Sequence, residues 1–171
     1  MGKTRYAAII FCWVVMTTLV SFSSSASAMG REYSDNTAPM FPMAFYDVNL
    51  QDGQAMADFL WVINETYDLM IAKGVPAWKI RFNVSLRGMS VMLASNSYID
   101  NNGEVGAAIA EQLEGLKARG IRIEACDISL VWVGVPADDL VEGIVVIDNA
   151  FASSIYYQRR GYALIPIHQL P

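Results

Sequence analysis

Three times along this chain, an apolar stripe with helical spacing runs into a glycine and hands over to a strand-like run. Met56, Phe59, Leu60, Ile63, Tyr67, Met70 and Ile71 recur at three- and four-residue intervals and stop at Gly74, with Pro76 preventing resumption. Val105, Ala108, Ile109, Leu113 and Leu116 form a second stripe that ends at Arg119-Gly120. A third helix is read over residues 150–160, with Asp148 or Asn149 available to cap it and Gly161 to close it. A chain that alternates helix and strand in this way cannot pair its strands through hairpins. It builds a parallel sheet with helices packed on its faces.

The strand-like runs are residues 44–50, 79–86, 121–126, 144–147 and 162–167. In the second, Ile80, Phe82, Val84 and Leu86 fall on one face. The fourth, Ile144-Val145-Val146-Ile147, is continuously β-branched, which predicts a strand covered on both faces. Residues 87–90 read as a tight strand-to-helix turn, 90–98 as one short helix, 101–103 as a turn and 136–141 as a connector. The expected fold class is therefore α/β, three-layer α/β/α, with a mostly parallel sheet of about five strands.

The first 28 residues have the form of an export signal. Lys3 and Arg5 precede an apolar run from Tyr6 to Val20, and Ala26-Ser27-Ala28 offers small residues for cleavage before Met29. The apolar run is short for a bilayer span of roughly 20 residues. Cys12 lies inside it, without the small residues that precede a lipoprotein cysteine, and leaves with the leader. Residues 29–43, with Pro39 and Pro42, read as a flexible arm, and residues 44–171 as a single domain.

The chain carries 12 Lys and Arg against 17 Asp and Glu; without Lys3 and Arg5 the balance is 10 against 17, a net charge of −7. So acidic a body is a poor nucleic-acid binder. No second apolar stretch is long enough to span a bilayer, so no membrane association is expected after cleavage, and the bacterial periplasm is the expected location.

Cleavage leaves Cys126 as the one cysteine, and a lone cysteine has no internal disulfide partner. It stands at the end of the strand over residues 121–126, just before a short helix, and in open α/β sheets ligands and reacting groups collect at the carboxyl ends of strands. A thiol with a pKa near 8.5 is only about 3% ionised at pH 7, so a working nucleophile needs a helix start or a cation beside it. The amides around Ile128 to Leu130 are candidates for the first, with Ser129 as a cap. Arg87, at the end of another parallel strand, is a candidate for the second; its alternative is a salt-bridged surface arginine. Asp127, adjacent to the thiol, opposes ionisation if its carboxylate approaches the sulfur.

Other chemistries have less behind them. The single His168 reads as a terminal surface group, and one cysteine with one histidine supplies no metal-ligand spacing. No glycine-rich nucleotide motif is present.

Three stretches taken together carry a resemblance: Leu113-Glu114-Gly115-Leu116-Lys117-Ala118-Arg119-Gly120, the strand that ends at Cys126, and residues 143–167 with Gln158-Arg159-Arg160-Gly161-Tyr162-Ala163. They resemble the DsrE/DsrF-like family of small sulfur-relay proteins over roughly residues 44–167. The resemblance implies a parallel-sheet α/β/α domain that forms homo- or hetero-oligomers. It matches Cys126 to the cysteine that carries sulfur as a persulfide in the DsrE and TusD members, and it implies no cofactor or metal. A sulfur donor or acceptor, either a protein or a small thiol, would be the partner. The alternatives are a non-catalytic oligomeric module that binds a small ligand or partner around a buried structural cysteine, and redox sensing through an intermolecular disulfide. The family's cytoplasmic relays differ from this chain in its apparent leader.

Overall fold

A computed structural model describes residues 41–168. The expected leader, its cleavage site and most of the expected arm lie outside the described residues. Five strands alternate with six helices: β1 (Met43–Asn49), α1 (Gly53–Ala72), β2 (Arg81–Leu86), α2 (Ser90–Leu93), α3 (Asn96–Asn101), α4 (Gly103–Ala118), β3 (Arg122–Cys126), α5 (Asp127–Val133), β4 (Val145–Ile147), α6 (Ala150–Gln158) and β5 (Ala163–His168). The strands form one sheet in the order β4-β3-β2-β1-β5, every pair parallel. The fold class read from the sequence is the one observed.

The first two stripes account for one layer. Asp52 caps α1 by accepting from Ala55 N–H (2.8 Å), and Met56, Leu60, Ile63 and Tyr67 turn inward. In α4, Ile109, Leu113 and Leu116 do the same. Both stripes join a single core with Tyr46 and Val48 of β1, Val84 and Leu86 of β2, and Ile123 and Ala125 of β3. Each fully buried Leu or Ile contributes about 1.5–3 kcal/mol. Buried Asn64 of α1 ties the two helices together by donating to the Gln112 carbonyl (3.1 Å) and to Gln112 Oε1 (3.0 Å).

The opposite face is covered by the nine-residue α6, and its strand residues are largely polar. Asp47, Asn83, Ser85 and Glu124 alternate with the core residues of β1, β2 and β3, as a period of two requires. Asp47 pairs in register with Ser85, and Ser85 with Glu124, so a polar row crosses three strands beneath α6.

Three sequence expectations are corrected. The helix expected over residues 90–98 is two helices, because Ser95 leaves helical geometry to bridge to Leu140 and to cap α3 through Tyr98 N–H. The expected 101–103 turn is thereby reduced to the junction between α3 and α4. The β-branched run becomes the edge strand β4 rather than a doubly covered one, leaving Val145 and Val146 exposed. A β-branched run suits a pleated surface wherever it lies; sheet order decides its cover.

Candidate functional site

β3 delivers Cys126 to the carboxyl edge of the sheet, where the chain turns directly into α5. The residue is the N-terminal cap position of α5 and is 5% exposed. Its sulfur accepts a hydrogen bond from Ala150 N–H at 3.4 Å. That amide belongs to the first residue of α6, a helix held in register by Asn149, whose side chain accepts from Phe151 N–H (2.8 Å) and Ala152 N–H (3.4 Å). Amide donors at a helix start favour negative charge on the atom they face.

Cys126 lines a cleft of about 370 Å³ together with Asn49, Arg87, Gly88, Ile128, Ser129, Trp132, Asn149, Ala150 and Phe151. The cleft brings together all four residues singled out from sequence, namely Arg87, Cys126, Ile128 and Ser129. Its mouth is apolar: Trp132 is 82% exposed and Phe151 64%.

The roles within that set differ from expectation in detail. Ser129 does not cap α5, because Cys126 occupies the cap position; its Oγ instead accepts from Gly88 N–H (2.8 Å), fastening the turn after β2 to α5. Gly88 sits at φ +57°, and a Cβ there would run into Asn49 Oδ1, so the turn needs glycine. Arg87 is salt-bridged, as its alternative reading held. Its Nε and a terminal nitrogen donate to the two Asp47 carboxylate oxygens (2.7 and 3.1 Å), and its guanidinium lies 5.3 Å from the centre of the Phe151 ring. Asp127 is exposed in the first turn of α5. His168 is the last residue of β5, with Nδ1 3.4 Å from Arg87 and Nε2 3.7 Å from Asp47.

A second cluster lies beneath α6, made of residues outside those singled out in the sequence. Buried Glu124 accepts from Arg122 Nε (2.7 Å), Ser153 Oγ (2.6 Å) and Tyr157 Oη (3.1 Å). Asn83 Nδ2 donates to Tyr157 Oη at 2.9 Å. Burial, reinforced by the Glu124 carboxylate, pushes the Tyr157 hydroxyl up to about 12. Asn83 Oδ1 and Ser85 Oγ are buried without a partner among the described residues. The available signal was polar side chains at alternate positions of strands expected to be covered on both faces.

Among the described residues, no group of three or more His, Cys, Asp or Glu is arranged to hold a metal ion. No helix there is long and apolar enough to cross a membrane.

No family model and no curated protein matches the chain. Solved structures do. MTH1491 from Methanobacterium thermoautotrophicum, a protein of unknown function, is similar with a TM-score of 0.53 and 23% identity, over 74% of this chain and 98% of that one. The ychN protein from E. coli is similar with a TM-score of 0.50 and 16% identity, over 74% of this chain and 99% of that one. The fold is DsrE-like. At such identities the likeness concerns architecture and carries no chemistry with it.

Proposed function

We propose that this protein is an exported sulfur carrier or sulfurtransferase that holds sulfur as a persulfide on Cys126. The observation that carries the reading is the Ala150 N–H that donates to Cys126 Sγ, in a residue that lines an apolar cleft. In the proposed step, the Cys126 thiolate attacks the outer sulfur of a donor persulfide. A new S–S bond forms as the donor's S–S bond breaks, and the electron pair leaves with the donor thiolate, so no net oxidation is involved. An acceptor thiolate then takes the sulfur by the same displacement and regenerates Cys126. Arg87, Ile128 and Ser129 bind and orient the incoming group, Arg87 through a guanidinium already held in place by Asp47.

The donor and acceptor are proteins or small thiols in this proposal, and the chain works as a homo-oligomer in the periplasm after cleavage behind Ala28. Edman sequencing of the exported form is expected to begin at Met29; a product that retains Met1 rejects that part.

The direct test is to incubate the folded protein with a persulfide donor and map peptides by mass spectrometry. The proposal expects one added sulfur atom on the Cys126 peptide, released by excess thiol and absent from Cys126→Ser. Sulfur found elsewhere, or on no peptide, rejects it.

A second reading has its own observation. Cys126 is only 5% exposed in an apolar cleft of small-molecule size, which also suits a binding module in which the thiol is structural. Under that reading the same incubation leaves Cys126 unmodified.

A further inference from the structure

The amino-terminal edge of the sheet, opposite the Cys126 cleft, holds a cavity of about 420 Å³. This volume is in the range of small-molecule sites. Three arginines line it, Arg81, Arg119 and Arg122, together with Trp78, Tyr157, Tyr162 and Asn83. In a chain with a net charge of −5, so local a gathering of guanidinium groups is a departure from the average surface.

The three cations are not equivalent. Arg119 is spent on Asp68, to which it donates with two nitrogens, and on the Gly115 carbonyl. Arg122 gives its Nε to Glu124 while its side chain remains half exposed. The guanidinium of Arg81 has no acidic or carbonyl partner among the described residues, and the residue is exposed. Strand register then sets the geometry. Asn83 of β2 is the partner of Arg122 on β3, and Arg81 precedes Asn83 by two, so these side chains leave the same face of adjacent strands.

Asn83 also lines this cavity. It is 1% exposed, its amide nitrogen is used on Tyr157 Oη, and its oxygen is buried without a partner among the described residues. Buried acceptors left unsatisfied are uncommon and call for a donor. Trp78, 67% exposed, also lines the cavity; Lys79 Nζ lies over its ring at 5.2 Å and the Phe41 ring meets it edge-on with centres 6.5 Å apart. A large, largely exposed aromatic side chain lining the same cavity as a guanidinium with no acidic partner among the described residues suits a flat ring bearing an anionic group.

We propose that this cavity binds a small aromatic carboxylate, with the carboxylate on Arg81 and Arg122, the ring against Trp78, and a ligand hydroxyl or N–H donating to Asn83 Oδ1. The site shares no residue with the Cys126 cleft and stands independently of the sulfur-carrier reading.

Isothermal titration of the full chain with 4-hydroxybenzoate tests it. Saturable binding is expected, weakened about tenfold or more by Arg81→Gln, since a charge-assisted pair is lost. Trp78→Ala is expected to weaken it about threefold or more. Benzoate, without the hydroxyl donor, should bind about threefold more weakly. Arg159→Gln, off the cavity, and Cys126→Ser should leave binding unchanged, which separates the failure of this site from the failure of the sulfur chemistry. Absence of heat up to about 10 mM ligand, an undiminished Arg81→Gln, or acetate binding as tightly as the ring acid would overturn the proposal.

Discussion

Tyr157 shows how a single side chain under α6 links stability to pH. Its hydroxyl accepts from Asn83 and donates to Glu124, and it also stacks on Phe45 with ring centres 5.2 Å apart. Tyr157→Phe keeps the stacking but leaves Glu124 one donor short and Asn83 Nδ2 without its acceptor. A loss of about 1–3 kcal/mol in urea unfolding at neutral pH is expected. The hydroxyl titrates near 12 in the folded chain against 10.0 ordinarily, so the folded state keeps a proton that the unfolded state gives up. Its contribution is whole below pH 10, and stability falls as pH rises from there towards about 12. Buried Tyr46, also shifted upward by desolvation, acts in the same direction. The variant should therefore show a shallower alkaline loss than the parent, measured by unfolding at stepped pH, but not a flat one. At the cleft, Arg87→Lys retains charge but cannot make the two-pronged contact with Asp47; slower uptake of donor sulfur by Cys126 is expected, with rates from quenched-flow mass spectrometry as the check.

The elements divide into those whose placement follows from local pattern and those that depend on distant partners. Asn149 is local: its carboxamide caps α6, and Asn149→Ala is expected to cost about 1 kcal/mol by denaturant unfolding. It should also slow sulfur uptake, because the same cap steadies the Ala150 N–H that meets Cys126. Gly106 near the start of α4 is not local. A Cβ there would collide with the Ile99 carbonyl of α3, so Gly106→Ala should destabilise by about 1–3 kcal/mol in the same assay, although alanine is the better helix former. The stripes that became α1 and α4, and the glycines behind them, were legible in the sequence because helix period and helix stop are local properties. The break between α2 and α3 was not, since Ser95 answers to Leu140, far along the chain. Nor was the edge position of β4: Val145 and Val146 look the same in sequence whether a neighbouring strand covers them or not.

Across the whole molecule, the carboxyl edge of the sheet gathered Arg87, Cys126, Ile128 and Ser129 into one cleft because each follows or ends a parallel strand, and parallel strands end on the same side. That much of the candidate site was legible. The Glu124, Tyr157 and Asn83 cluster was not, because its members come from β3, α6 and β2 and meet only once the sheet order is known. The apolar residues Val131, Trp132, Phe151, Ile155 and Tyr156 of α5 and α6, with Val145 and Val146 on β4, are all exposed, and exposed apolar side chains in such number suit an association surface. They support the proposed self-association. Val131→Asp should shift the mass measured by sedimentation towards the monomer while the far-UV circular dichroism stays that of the folded domain; an unchanged mass would count against the association. The account's central claim, that Cys126 is a working thiol reached through its cleft, is tested most directly by the rate at which a small thiol reagent labels it without denaturant. Labelling much faster than global unfolding is the predicted result; a thiol labelled only as the protein unfolds would contradict the account.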